Sequence, residues 1–190
     1  MKSASFIRLM VLGIALLALG GCVTTKKKAK APATPAPDAP SYWKPEGASG
    51  PPKIVIGLGH QRAYFYRGDK VVGEAKISSG RAGFETPPGT YRVIQKDKDH
   101  VSNLYGDFID EFSGEVVKSN VDISKENPPD GTLFRGAKMP YFLRFYSGYG
   151  LHAGRLPGRR ASHGCVRLPS FMAEHFFNNV EIGTPVVVED

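Results

Sequence analysis

KIVIGLGHQRAYFYRGDKVVGEAKIS, residues 53–78, decides the fold. Lys53–Leu58, Arg62–Arg67 and Val71–Ser78 are short runs rich in β-branched and aromatic side chains, which suit a pleated, half-buried surface. Gly57–Gly59 and Arg67–Lys70, the second containing Gly68-Asp69, supply the turns between them. Tyr91–Gln95, Tyr141–Tyr146 and Pro185–Glu189 repeat the pattern. Tyr64, Phe65 and Tyr66 are expected to be strand and core residues rather than a glycan platform. The expectation is a mainly β domain, a small sandwich or barrel-like fold. One helix is expected after Pro169-Ser170, with Ser170 capping Phe171–Asn178 and Glu174 in its first turns. Residues 98–140 hold Gly, Pro and charge with weak strand signals, and read as an inserted hairpin or a long loop over a site. No internal repeat, coiled-coil heptad or phosphate-binding glycine pattern is present.

Outward from this domain the composition changes. Val11–Leu19 is almost wholly apolar, preceded by Lys2 and Arg8 and followed by Gly20, Gly21 and Cys22. A basic start, a short apolar run and small residues read as an export signal over 1–21. The run is too short for a stable membrane span. Leu19-Gly20-Gly21-Cys22 resembles the bacterial lipobox. That resemblance implies lipidation at Cys22 and anchoring to a membrane by buried CH₂ groups. An ordinary secretory signal is the alternative. Val23 follows where Asp would favour inner-membrane retention, so in a Gram-negative host the outer membrane is favoured. Residues 22–52 read as the lipidated cysteine plus a Lys/Ala/Pro-rich tether with no fixed fold before about Lys53 and with Trp43 exposed.

The 190-residue chain carries a net charge of +7. Residues 51–190 account for 18 basic and 16 acidic side chains, a net of only +2. The excess lies in the Lys26, Lys27, Lys28 and Lys30 cluster, beside the expected anchor. It fits anionic lipid or wall polymer, or a solvated tail, and not a nucleic-acid partner.

Of two cysteines, Cys22 is assigned to lipid, which leaves Cys165 as a free thiol in an exported protein. It lies in GLHAGRLPGRRASHGCVRLP, residues 150–169. A thiol attacks as thiolate, and nearby cations and an imidazole raise the reactive fraction. His152 lies 13 residues upstream across a connection that turns at Gly154, Pro157 and Gly158. It is the candidate partner that holds the thiolate as an ion pair and protonates a leaving amine. Gly164 allows backbone N–H groups to approach a developing oxyanion. Arg155, Arg159, Arg160 and Arg167 surround the thiol with charge and suit a substrate carboxylate. These parts fit acyl transfer on an amide.

Ser162-His163-Gly164-Cys165-Val166-Arg167, with His152 upstream, resembles the signature of the L,D-transpeptidase (YkuD-like) family. Ser78-Ser79-Gly80 followed by Thr86-Pro87-Pro88-Gly89-Thr90-Tyr91 resembles a second block of that family, and Met139–Phe145 leading into Leu151–Gly154 agrees. The resemblance covers about residues 53–189. It implies an L,D-transpeptidase-like β-sandwich in domain 53–190, with one short helix after the catalytic cysteine. Cys165 is implied as nucleophile and His152 as base. His163 is implied as a signature histidine that orients the loop or substrate. Ser162, Gly164, Arg167, Arg155 and Tyr149 are implied to line the substrate site. Ala153 lacks a hydroxyl, so His152 must be oriented by a backbone carbonyl or a residue elsewhere.

The implied substrate is a peptidoglycan stem tetrapeptide, with a thioacyl enzyme passed to an amine: a neighbouring stem, a lysine of a wall-attached protein, or a free D-amino acid. Water as acceptor would make a carboxypeptidase or cross-link hydrolase. No metal or organic cofactor is implied. Three other readings stand beside this one: an inert core thiol, a zinc site on His152, His163 and Cys165, and a non-catalytic wall-binding lipoprotein. His60, His100 and His175 read as surface or packing histidines.

Overall fold

A computed structural model describes residues 39–190. The export signal, Cys22, the lysine cluster and the first part of the tether lie outside the described residues. In chain order the strands are β1 (Tyr42–Trp43), β2 (Pro52–Gly57), β3 (Arg62–Arg67), β4 (Lys70–Lys76), β5 (Gly89–Arg92), β6 (Gln95–Asp97) and β7 (Val101–Asp110). They continue with β8 (Val116–Asp122), β9 (Thr132–Lys138), β10 (Phe142–Tyr146), β11 (Tyr149–Ala153) and β12 (Val166–Leu168). Helix α1 (Ser170–Asn178) and β13 (Pro185–Glu189) complete the chain.

Two sheets face each other, ordered β1-β4-β3-β2-β13-β5 and β12-β11-β10-β6. Period-two alternation turns Ile54, Ile56 and Phe65 of the first sheet, and Leu143, Leu151, Val166 and Leu168 of the second, into one core. Met172, Ala173 and Phe176 of α1 enter the same core. Phe65 is fully buried there, whereas Tyr64 and Tyr66 lie with Val55 in a separate cluster. Most connections are antiparallel, but β13 pairs in parallel with β2, and β12 in parallel with β11.

Three expectations are corrected. The tether does not stay unfolded as far as Lys53. Tyr42 and Trp43 pair with Glu74 and Gly73 on β4, and Trp43 packs edge-on to Phe65 at 5.0 Å and flat on His175 at 4.8 Å. Gly73 makes room for this ring, because a Cβ there would meet it at 2.6 Å. The indole is thus half-buried, and the burial of one large aromatic is what ties the strap down. Ser170 is the first helical residue rather than the cap; Pro169 stands at the cap position without a side-chain hydrogen bond. The run Tyr91–Gln95 is not one strand. The Val93 N–H bonds Thr184 O of one sheet's border, and the Ile94 N–H bonds Arg144 O of the other sheet, so the chain changes sheets there.

Residues 98–140 form a third, antiparallel sheet, ordered β8-β7-β9. Among the described residues it pairs with neither of the other two sheets, and none of its residues belongs to the main core cluster. Phe112 at its tip is 91% exposed, and Val116, Val117 and Leu133 are also open to solvent.

Candidate active site

The site is made by β11 and β12. Leu151 pairs with Val166, His152 with Arg167, and Ala153 with Leu168. Leu151, Ala153, Val166 and Leu168 point into the core. The alternate residues must therefore point the other way, and Cys165, His152 and Arg167 share one cavity of about 820 Å³. The apolar residues that anchor the strands thus also aim the polar ones.

The loop that carries Cys165 is held by the Ser78–Gly80 segment. Backbone N–H groups of Ser78 and Arg167 donate to each other's carbonyls, and the N–H groups of Ala161 and Ser162 both donate to Ser79 O. Ser162 Oγ accepts from the Gly164 N–H at 3.0 Å and donates to the Cys165 carbonyl. Thr86 Oγ1 accepts from the Gly80 N–H and donates to Gly164 O at 2.6 Å. The two sequence blocks thus meet at the loop. Gly164 sits at φ +112°, where a Cβ would meet the Tyr149 ring at 2.5 Å, so only glycine fits without strain.

His152 is 5% exposed. Its Nδ1–H donates to the Ala153 carbonyl at 2.8 Å, which leaves Nε2 as an acceptor. Burial pushes its pKa down to about 4, and the positive charge of Arg167 acts in the same direction. Burial likewise pushes the Cys165 thiol up, outweighing the Gly150 N–H and the cations Arg144 and Arg167. Burial thus disfavours charge on both groups, against the effect of the surrounding cations on the thiol. The thiol sits 3.6 Å from Gly148 O, to which it donates.

His163 is placed differently. Arg81 Nη2 donates to its Nε2 at 2.8 Å, its ring stacks on Tyr105 at 4.2 Å, and Phe84 meets it edge-on at 4.9 Å. Burial and Arg81 lower its pKa. It joins the catalytic loop to the third sheet, and Lys125 over the Phe84 ring at 5.4 Å adds to the joint. The zinc reading loses its geometry, since among the described residues no three His, Cys, Asp or Glu come together as ligands.

The arginines divide. Arg167 is half-buried and Arg155 exposed, and both line the cavity. Arg160 instead donates to Leu58 O at 3.1 Å, and neither it nor Arg159 lines the cavity. Tyr149 lines the cavity beside Gly164. His100 also reaches it, bonded through Nδ1 to Asp97 and stacked on Phe142 at 4.3 Å; His60 is exposed and His175 packs on Trp43.

Sequence reasoning missed two cations. Arg144 lines the cavity, donating through Nε to Gln95 Oε1 at 2.6 Å and through Nη1 to Ser147 O at 2.7 Å. Its signal was a lone charge inside the apolar run YFLRFY, residues 141–146. Arg81 followed the Ser-Ser-Gly block without any cue to its partner.

A family model described as the L,D-transpeptidase catalytic domain (YkuD) matches residues 51–188. The probable L,D-transpeptidase ErfK/SrfK of Salmonella typhimurium is 28% identical over 143 residues, 72% of this chain and 44% of the relative. The probable L,D-transpeptidase 3 of Mycobacterium tuberculosis is 30% identical over 151 residues, 76% of this chain and 48% of the relative. The chain thus spans less than half the length of these curated relatives. Among solved structures, an L,D-transpeptidase from Stackebrandtia nassauensis superposes with a TM-score of 0.54 at 21% identity, covering 75% of this chain and 57% of that one. An L,D-transpeptidase from Mycobacterium smegmatis does so with 0.55 at 17% identity, covering 73% and 58%. These two carry the likeness of fold.

Proposed function

We propose, from the premise that this chain belongs to the L,D-transpeptidase catalytic-domain (YkuD) family, that it is a peptidoglycan transpeptidase with Cys165 as nucleophile. The observation that supports this best is the pairing of β11 with β12, which turns the Cys165 thiol and the His152 imidazole into one cavity while their neighbours anchor the core.

In this reading the thiol leaves Gly148 O and gives its proton to His152 Nε2 as sulfur attacks the amide carbonyl of a stem tetrapeptide. The C–S bond forms, the C–N bond breaks, and His152 returns the proton to the departing D-amino acid. The Ala153 carbonyl holds the tautomer and stabilises the transient imidazolium. The Gly164 N–H is committed to Ser162 Oγ, so the Cys165 N–H is the nearer donor for the oxyanion. Arg167, Arg144 and Arg155 serve substrate carboxylates, and Tyr149 shapes the groove beside the thiol. His163 positions the loop through Arg81 and Tyr105 and takes no proton from the thiol. The thioacyl group then passes to an amine.

Residues 1–21 are proposed as the export signal and Cys22 as the lipidated anchor, with the Lys/Ala/Pro-rich stretch ahead of β1 as the tether. This would hold the domain at a membrane facing the periplasm or wall.

The test is intact-mass spectrometry of the full chain incubated with a disaccharide tetrapeptide, with and without an amine. An adduct on Cys165 that resolves to a transferred product carries the proposal. An adduct resolved only by water makes the protein a hydrolase using the same intermediate. Absence of any adduct on a free thiol overturns the enzymatic reading.

A further inference from the structure

The cavity holds several cations and one carboxylate: Lys138, Arg144, Arg155 and Arg167 line it, and Asp107 is the sole carboxylate among its described lining residues. Asp107, like Lys138, belongs to the third sheet and not to the sandwich that carries the thiol. Its aim follows the period-two alternation of β7, which puts it on the face of Tyr105, and a bulge in β8 brings two residues against it. The pairing of β7 with β8 shifts register between Gly106 and Phe108: Gly106 opposes Val121 and Phe108 opposes Lys118. Asp107 therefore stands alone against two residues, Ser119 and Asn120, in a β-bulge. Bulges of this kind re-aim side chains next to active sites.

All three bulge residues line the cavity. Asn120 adopts φ +58°, and its N–H donates to Asp107 Oδ1 at 3.1 Å, which fixes the carboxylate. Arg135, directly opposite on β9, lies 3.8 Å from Oδ2, a loose and half-exposed pair that tempers the charge without covering it. A carboxylate, a hydroxyl and an amide converge at the bulge, and an ammonium group with its three donors is the partner such acceptors fit.

Its position along the groove follows from Tyr105. That ring stacks on His163, two residues from the nucleophile. Asp107 is two residues farther along β7 on the same face, about 7 Å beyond the stack.

We propose that the Asp107–Ser119–Asn120 bulge is the subsite for the cationic amine of the acyl acceptor. This rests on the acyl-transfer reading above and assigns the second half-reaction to the third sheet. One amine of the acceptor is held at Asp107 as an ammonium. A second amine of the same molecule, as the free base, attacks the thioester carbonyl. The C–N bond forms, the C–S bond breaks, and the proton shed by the attacking amine passes through His152 to the leaving thiolate. The arginines that line the cavity serve the donor; the bulge serves the acceptor.

The experiment separates the two half-reactions in the full chain. Acylation is followed by intact mass with a stem tetrapeptide, and release of the acyl group is followed with lysinamide, a cation, or hydroxylamine, a neutral amine. Asp107→Asn keeps an oxygen for the Asn120 N–H, so the bulge is retained. It is expected to raise the apparent KM for lysinamide about tenfold while changing the rate with hydroxylamine and the rate of acylation less than twofold. Arg135→Gln, which frees the carboxylate, is expected to lower the KM for lysinamide. Equal effects of Asp107→Asn on lysinamide and hydroxylamine, or none on either, would overturn the subsite. If wild-type protein forms no acyl adduct at all, it is the enzymatic reading that fails, and retention of lysinamide by unacylated wild type but not Asp107→Asn would still show the cation site.

Discussion

The β11–β12 pair and the β7–β9 sheet line the same cavity but are built on opposite terms. Along β11 and β12 every second side chain is locked in the core, so His152 and Arg167 are held by neighbours that cannot move without opening a cavity. The third sheet has no share in that central core, carries exposed Phe112 and Leu133, and reaches the catalytic loop through the stack of Tyr105 on His163. The proposed chemistry sits where packing fixes geometry, and the proposed acceptor subsite on an element that can vary without unfolding the sandwich.

If that division is right, the largest loss comes from the packed side. Cys165→Ala is expected to abolish acyl-adduct formation while circular dichroism and thermal melting stay those of the parent. His152→Gln is expected to lower kcat/KM for acylation by about 10²- to 10⁴-fold, the usual worth of a positioned general base. Substantial turnover in either variant would break the assignment of chemistry to this strand pair.

The pH response tests the same burial. His152 acts as base when neutral, and its pKa is pushed down to about 4. The acid limb of kcat/KM is therefore expected near pH 4, not near the ordinary histidine value. Stability carries the matching sign. The folded state resists protonating this ring and the unfolded chain does not. Its contribution is thus fully present above the unfolded pKa and is lost as pH falls from about 6.5 to about 4, on the order of 3 kcal/mol. Urea melts at pH 7 and pH 4.5 should show this loss in the parent and a smaller one in His152→Gln.

The strap offers a loss of stability without a loss of chemistry. Trp43→Ala removes the ring held among Phe65, His175 and Phe176. A cost of about 2–4 kcal/mol is expected in denaturant melts, somewhat below that of a fully buried aromatic. Activity of the folded fraction should be unchanged. A chain beginning at residue 51 should melt lower still, since it lacks β1 altogether.

The smallest effect is assigned to the joint between the two regions. His163→Phe keeps a ring against Tyr105 but no acceptor for Arg81, and is expected to cost only a few-fold in kcat. His163→Ala should cost more and should speed hydrogen exchange in β7. A collapse of activity in His163→Phe equal to that in His152→Gln would instead make His163 a second proton-transfer group.

The contrast also explains what was legible. The β-branched and aromatic runs in Lys53–Lys76 and Pro185–Glu189 follow from burial, on both faces for β2 to β4 and on alternate residues for β13, and those strands lie where their pattern puts them. Cys165 and His152 could be paired because their motif and their strand pattern agree. The third sheet was opaque because its strands bury little: Val116–Asn120 is exposed throughout, so no period-two pattern marks it. Asp107 depends on a register shift and Arg81 on a long-range partner, and neither leaves a trace in local sequence. Trp43 was misplaced because a Pro-rich stretch hides a two-residue strand. The burial of both the Cys165 thiol and the His152 ring was missed because counting arginines measures charge and not desolvation.

The position of β13 has a consequence for timing. Val186–Glu189 lies between β2 and β5, far upstream in sequence, and pairs with both. Until that segment is available, β2 is paired only with β3 and has one open edge, β5 has no partner in this sheet, and the sheet cannot close. Folding is thereby weighted toward a late, long-range event, which slows it.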